Sequence, residues 1–426
     1  MSTSLLRNCL TVACLPALLA GMLSHSAHAL EADAGGVSWD LNGFYSLSAL
    51  HTNQSGPFFL YAPYGDQDRP ADQQHWDLLP DSKLGLMAGV RANAQWSAKA
   101  QFLYRQGSSK ENDFKTRLAF VEYQPRYDWS VKLGRSVQGL LLTEESMYTD
   151  YAQLPIRAPQ EPYAYLPNTE IDGIHLQHQL PVGDWRLNLQ GSYGQRTYHS
   201  QQFQRELRDS VGIAATLLNP QTSLHLAART LMLGYYQSPG LASATQLIRS
   251  VADAQGRSDI AAEYDETAIR VKQYAAGLEH QAGPLSLKAD LLLLYSSLPI
   301  AGQPIATANL LAGYRIGAFT PYVSWGQISE YGSKKEQRLQ PDSPQAIAAI
   351  FTADYLGAAL SGEQRTWSLG LRYEVAKNTA LKIQFDRVER KAGVEGWFIA
   401  PPDSLQFAPD YNNHTNVWGI SLQGMF

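Results

Sequence analysis

The chain has 426 residues and a formal charge of −5, without the basic stripe that a nucleic-acid binder shows. Both cysteines, Cys9 and Cys14, lie near the N-terminus, so the rest of the chain holds no disulfide framework, cysteine zinc site or cysteine nucleophile. Mean hydropathy is −0.27 and no run approaches about 18 apolar residues, which excludes helical membrane spans and leaves the closed barrel as the one membrane architecture available.

The first block reads as an export signal. Arg7 supplies the positive region, Leu10 to Leu23 form an apolar stretch broken by Pro16, and Ala27-His28-Ala29 gives the small-x-small pattern before a cleavage point. Residues 1–29 are expected to be a signal peptide and Leu30 the first mature residue. Loss of Arg7 takes the charge from −5 to −6. A lipoprotein reading at Cys14, after Thr11-Val12-Ala13, leaves only about six residues for the apolar region, fewer than the roughly 7 it needs.

From there the dominant signal is alternation with a period of two. In Thr366 to Ala376, Trp367, Leu369, Leu371, Tyr373 and Val375 fall on one face, and Thr366, Ser368, Gly370, Arg372 and Glu374 on the other. Sixteen strands are predicted, at 38–50, 83–92, 97–105, 115–124, 128–136, 172–181, 184–194, 211–218, 222–236, 268–280, 284–296, 305–316, 319–328, 365–376, 379–390 and 415–426. Every second connection is short: Asn93-Ala94-Gln95, Pro125-Arg126-Tyr127, Pro181-Val182-Gly183, Asn219-Pro220-Gln221, Ala282-Gly283, Gly317-Ala318 and Lys377-Asn378. The others are mostly long and polar. Short turns on one side and long loops on the other is the pattern of a transmembrane antiparallel barrel, and a soluble sandwich has no reason to sort its loops by parity. Two loop stretches, Leu241 to Ala254 and Pro344 to Leu360, are Ala-rich without alternation and read as helices of extracellular loops. A strand pair hidden there would raise the count to eighteen.

Tryptophans mark the strand ends. Trp39, Trp96, Trp129 and Trp185 lie beside short turns, and Trp325, Trp367 and Trp418 near long loops, as two interfacial girdles would. The last strand alternates Trp418, Ile420, Leu422, Gly424 and Phe426, and Phe426 ends the chain. With the export signal and the loop parity, this ending resembles outer-membrane barrels, whose terminal aromatic strand the barrel-assembly machinery recognises. Across residues 30–426 the chain resembles the sixteen-stranded general porins of Gram-negative outer membranes. That resemblance implies a water-filled channel for passive diffusion, surrounded by outer-membrane lipid and lipopolysaccharide, with both termini periplasmic, no cofactor and a homotrimeric assembly.

The resemblance also directs attention to the third long connection, residues 137–170, since in general porins that loop folds inward and narrows the barrel. It is rich in Pro and Tyr (Pro155, Pro159, Pro162, Pro167, Tyr148, Tyr151, Tyr163, Tyr165); the enterobacterial acidic-Pro-Glu-Phe signature is absent. Its charges are Glu144, Glu145, Asp150, Glu161 and Glu170 against Arg157. Basic residues dominate the strand faces opposite the apolar ones: Lys99, Arg105, Lys132, Arg186, Arg229, Lys288, Arg315, Arg372 and Lys382, with Asp290, Glu374, Asp386 and Glu122 as the acids. The expectation is a constriction formed by Glu144, Glu145, Asp150, Arg157, Glu161, Tyr163 and Tyr165, facing a basic wall that includes Lys99, Arg105, Lys132 and Arg229, since rings of charge are one way pores select ions. The faces of strand four, around Phe120 and Glu122, and of strand ten, around Arg270 and Lys272, stay open.

Other function classes fit less well. There is no Gly-x-Ser-x-Gly elbow. His175 and His178 are three apart, and on a strand that spacing points them to opposite faces, so they cannot share a metal ion. An energy-coupled receptor needs a plug domain and about 22 strands. The alternative within the channel class is a substrate-specific porin for a sugar or a small anion, with the loop tyrosines as an aromatic lining; an outer-membrane barrel enzyme ranks below it.

Overall fold

The computed structural model describes residues 30–34, 36–52, 58–59, 76–78, 81–106, 112–164, 169–199, 204–236, 239–298, 304–331, 339–392, 394, 398–399 and 413–426. The alternating segments form β1 (Val37–Thr52), β2 (Lys83–Arg91), β3 (Trp96–Gln106), β4 (Asn112–Arg126), β5 (Trp129–Val137), β6 (Glu170–Val182), β7 (Trp185–His199) and β8 (Gln204–Leu218). They continue as β9 (Thr222–Tyr236), β10 (Ile269–Ala282), β11 (Leu285–Ser296), β12 (Ile305–Tyr314), β13 (Phe319–Glu330), β14 (Gln364–Ala376), β15 (Thr379–Arg390) and β16 (His414–Met425). Each pairs antiparallel with the next, and β16 pairs back onto β1 from Met425↔Phe44 to Val417↔Thr52. Backbone bonds between Gly43 and Phe426 of 2.8 and 2.9 Å seal the seam. The result is a closed barrel of sixteen strands, which leaves no sheet edge unpaired.

The two faces separate as the alternation predicts. Outward-facing Trp39, Leu86, Ile213, Leu226, Leu369 and Ile383 are exposed, a band that suits hydrocarbon. Aromatic pairs rim both ends: Trp96 with Tyr123, Trp129 with His178 and Phe319 with Tyr373 on the short-turn side, and Trp325 with Trp367 and Phe385 with Trp418 on the long-loop side. Strand four resolves with Ala119 and Val121 outside and Phe120 inside, and strand ten with Arg270, Lys272 and Tyr274 outside.

Several boundaries differ from expectation. β8 begins at Gln204 rather than 211, because a bulge between Arg208 and Val211 interrupts the alternation; Asp209 takes a left-handed φ of 48° there. Pro125 and Arg126 extend β4 and Pro181 and Val182 extend β6, so those turns are tighter than read. Arg315, expected on a strand face, lies exposed beyond the end of β12. A short strand, Leu30–Ala34, folds back on Val37–Leu41 ahead of the barrel; it was not anticipated.

The two Ala-rich stretches are helices, which removes the eighteen-strand alternative. They are numbered after α1 (Gln160–Ala164) of the third long loop: α2 (Pro239–Ala254) with the short α3 (Ser258–Ala261), and α4 (Pro344–Leu360). Ser343 caps α4 by accepting a bond from the Ala346 N–H at 3.1 Å, with Pro344 following the cap. These helices do not stand clear of the barrel. Ile248, Val251 and Ala252 of α2, Ile260 of α3 and Ala346, Ala349 and Ala353 of α4 form one apolar core with inward-facing residues. Those residues are Leu50, Leu207, Leu231, Leu233, Ile269, Val271, Leu294, Ile305, Ile328, Val388 and Val417. They come from β1, from β8 to β13 and from β15 and β16, so the helices lie across the long-loop end of the lumen.

Candidate functional site

The third long loop, 138–169, leaves β5 through Gly139, whose φ of 69° is a conformation glycine takes without strain. It turns inward and crosses the lumen. At its start Gln138 donates to Ser192 (3.0 Å) and accepts from Ser210 (2.7 Å) and Arg229 (3.3 Å). His225 bonds the Leu140 carbonyl at 3.1 Å, and Leu140, Leu141, Met147 and Tyr163 pack with Ala275 and Leu292 of the wall. Arg117 then holds the next turn. Its guanidinium donates to the carbonyls of Glu144 and Glu145, to Gln101 (3.2 Å) and to Glu170 (3.0 Å).

The far end is fastened to the opposite wall. Asp150 pairs with Lys83 at 2.8 Å and accepts from Ser46 at 2.9 Å. The Lys382 ammonium, fully buried, donates to the carbonyls of Asp150 (2.7 Å), Gln153 (2.6 Å) and Pro155 (2.9 Å). Arg372 donates to the Tyr151 and Gln153 carbonyls, its guanidinium 4.5 Å from the Tyr151 ring centre. Gln384 accepts from the Ile156 N–H and Gln423 donates to the Ile156 carbonyl. Arg157 bridges Asp81 (2.6 Å) and Asp386 (2.7 Å). A loop with carbonyls in the lumen needs such donors, because each buried unpaired carbonyl costs about 1–3 kcal/mol.

This changes the role of the expected constriction residues. Glu144, Asp150, Glu161 and Tyr163 are at most 2 % exposed, and they anchor the loop rather than present charge to solvent. Burial pushes the Glu144 carboxyl up to about 7, against the pull of Arg229. Glu161 packs beside Gly326, where a larger residue would clash. Arg157 is neutralised in its two ion pairs. Glu145 alone of the seven is exposed, and Tyr165 lies outside the described residues. On the wall, Arg229 is buried with Gln273 (2.7 Å) and Gln138 under the loop, and Arg105 sits 5.6 Å from the centre of the Tyr148 ring. Lys99 and Lys132 are partly accessible, with the Lys132 ammonium over Phe120 at 5.0 Å and Glu122 across the strand pair.

The sequence had not singled out Arg117, Lys83, Asp81, Gln384 or Gln423. Arg117 sits at a register shift between Gln101 and Phe102 of β3, which takes it out of phase with the alternation. His175 and His178 do face opposite ways, inward and against Trp129, and no cluster of metal-ligating residues occurs among the described residues.

A polar cavity of about 230 Å³ lies between the start of the loop and β5 to β9. Lys132, Glu145, His175, Gln177, Asn188 and Gln190 line it.

No family model matches the sequence, and no curated protein matches it. Solved structures do. The outer membrane channel DcaP of Acinetobacter baumannii superposes with a TM-score of 0.55 at 11% identity, over 94% of this chain and 100% of that one. OmpF of Salmonella typhi, solved with daunomycin, gives 0.54 at 13% over 93% and 100%. An anion-selective porin from Comamonas acidovorans gives 0.51 at 12% over 92% and 100%. With its closed ring of sixteen antiparallel strands, its outward apolar band and its third long loop in the lumen, this chain has the fold of the outer-membrane porins.

Proposed function

We propose that the chain is an outer-membrane channel for passive diffusion of small hydrophilic solutes and ions, exported with a signal peptide over residues 1–29. The observation that carries this reading is the inward loop. It is fastened by Lys382, Arg372 and Arg157 to the far wall, while the wall of β3 to β8 keeps some partly accessible polar side chains, Lys99, Lys132, Asn188 and Gln190 among them. Transport then needs no catalytic step and no cofactor: size exclusion past the loop sets the limit, and the residual field biases ions. The solvated charges there are Lys99, Lys132 and Arg186 against Glu122 and Glu145, a modest excess of positive charge that favours anions. The likeness to an anion-selective porin supports the same sign. Phe426 in the closing strand suits recognition by the barrel-assembly machinery, the outward band suits lipid with lipopolysaccharide at the outer leaflet, and a homotrimer is the assembly such barrels suggest.

The test is single-channel current of the refolded protein in a planar bilayer under a salt gradient. Stepwise conductance with an anion-preferring reversal potential is expected, and Lys132→Gln should move that potential towards zero. Absence of conductance, or an unmoved potential, would overturn the channel or the wall assignment respectively. A substrate-specific channel is the second reading, favoured by the apolar core of α2, α3 and α4 across the long-loop end, which narrows entry beyond what the third loop does.

A further inference from the structure

The outer face of the barrel carries its charge unevenly. Between β5 and β6 the outward-pointing Arg135 has its own counter-charge, holding Asp172 through two bonds of 2.7 and 2.9 Å. Across β10 to β14 the outward cations lack one. Arg270 and Lys272 at the start of β10 and Arg365 at the start of β14 are exposed. Among the described residues no hydrogen bond or ion pair joins their side chains; the 2.9 Å bond of Arg270 to Ser297 is made by its backbone N–H. Glu389, opposite Arg365 in register, is taken by Arg387 at 2.8 Å. All three cations stand at the long-loop ends of their strands, where a long basic side chain reaches the membrane surface and escapes the cost of facing hydrocarbon.

On the short-turn side of these cations the apolar band is hollowed. Leu278, Ala289, Leu310, Trp325 and Trp367 are successive register partners across β10, β11, β12, β13 and β14, and they line a groove of about 480 Å³. Leu310 and Trp367 are half exposed and form its ridges. Ala289, between Leu278 and Leu310, and Ala312, the next outward residue of β12, carry too little bulk to fill the space. Arg365 is the next outward residue beyond Trp367 on β14, about 7 Å further toward the long loops. On β10, Lys272 lies about 20 Å from Leu278 along the strand, with the edge-to-face pair Tyr274–Tyr295 between them.

From this arrangement we infer that the outer face of β10 to β14 binds a phosphate-bearing lipid of the outer leaflet, with an acyl chain in the groove, a phosphate at Arg365, and Arg270 and Lys272 extending the same positive belt. The inference rests on the outer-membrane reading, which turns the long loops outward, and deepens it by placing a lipid on one face. Hydrocarbon chains are the apolar ligand that a groove in this band always meets, and the volume is in the range of small-molecule sites. Charge selects the headgroup. Cations without counter-charges attract a phosphate, whose oxygens only accept, and a zwitterionic lipid would neutralise its phosphate with its own ammonium. A second copy presenting the same surface would set cation against cation.

Diphosphoryl lipid A serves as the probe, titrated into the detergent-folded full chain and read by native mass spectrometry, with its dephosphorylated form as control. Saturable binding of the phosphorylated form is expected. Arg365→Gln combined with Lys272→Gln should weaken it about tenfold or more, since each surface cation contributes about fivefold toward an anionic headgroup. Ala289→Trp, which fills the groove, should weaken it to a similar degree, and Arg135→Gln, on the opposite side of the barrel, should leave it as it was. Affinity unchanged by the charge pair and by Ala289→Trp would overturn the site, and so would equal binding of the dephosphorylated form. Displacement of the lipid by millimolar inorganic phosphate would assign the cations to a free anion instead. Oligomers lost in Ala289→Trp with lipid binding intact would give the groove to a second copy. The titration needs no current, so a barrel that conducts nothing can still bind the lipid, and a conducting barrel can fail to.

Discussion

The two sides of the lumen are built on different principles. From β10 round to β2 the inner wall is covered. Its long-loop end is sealed by apolar helices, and its middle is stitched to the third loop by buried Lys382, Arg372 and Arg157. From β3 to β8 the inner wall keeps partly accessible lysines, amides and hydroxyls. Charge on a barrel's inner face therefore has two uses. On the covered side it is consumed in holding the loop; on the open side Arg117 of β4 holds the loop's first turn, while Lys99 and Lys132 stay partly accessible.

Putting charge into the dry end should have the largest effect. Ile248, fully buried in α2 against the barrel wall, replaced by Asp, places a carboxylate in an apolar core at a cost of about 4 kcal/mol or more. The helices should detach, conductance should rise and protease should cut within 239–261, all readable on folded barrels. Unchanged conductance would mean that the helices do not obstruct the path. Next comes Lys382→Met. It leaves the carbonyls of Asp150, Gln153 and Pro155 without their ammonium donor, which should cost about 3 kcal/mol and lower the temperature at which the barrel loses heat-resistant gel migration. A larger, noisier conductance is expected with it, from a loop freed at one end only.

The smallest expected effect is in pH. Because burial raises the Glu144 carboxyl from 4.5 to about 7, the folded barrel holds that proton more tightly than the unfolded chain does. Stability from this site is complete below 4.5, declines as pH rises towards about 7, and levels off above. Glu144→Gln should flatten that slope in melting temperatures measured across the window. A slope equal to that of the parent would show that the carboxyl is not the group responsible.

Much of this was legible in the sequence, and the reason is local. Alternation is decided by neighbouring residues, so Trp367 to Val375 declared their face without knowledge of the fold, and parity of turns gave the closure. The covered side was less legible, because its bonds join residues far apart: 232 positions separate Lys382 from Asp150. The loop acids were readable as charges but not as buried ones, since burial depends on partners in β1, β2 and β14. One signal was on the page. Leu291 to Leu294 run apolar on both faces of β11, and Leu231 and Leu233 occupy inward positions. A strand wetted on its inner face would not be built that way, so these leucines already implied something solid in the mouth.

The reach of Lys382 also bears on the order in which the barrel is made. The loop carbonyls that it holds are synthesised early, but the lysine itself sits on β15, and Gln423, which completes the grip on Ile156, on β16. Until the last hairpin has closed against β1, the far end of the loop lacks the Lys382 and Gln423 donors that seat it, and contacts of such long separation form late. The narrow passage is thus the final product of assembly, and an unfinished barrel is a wider hole than the finished one.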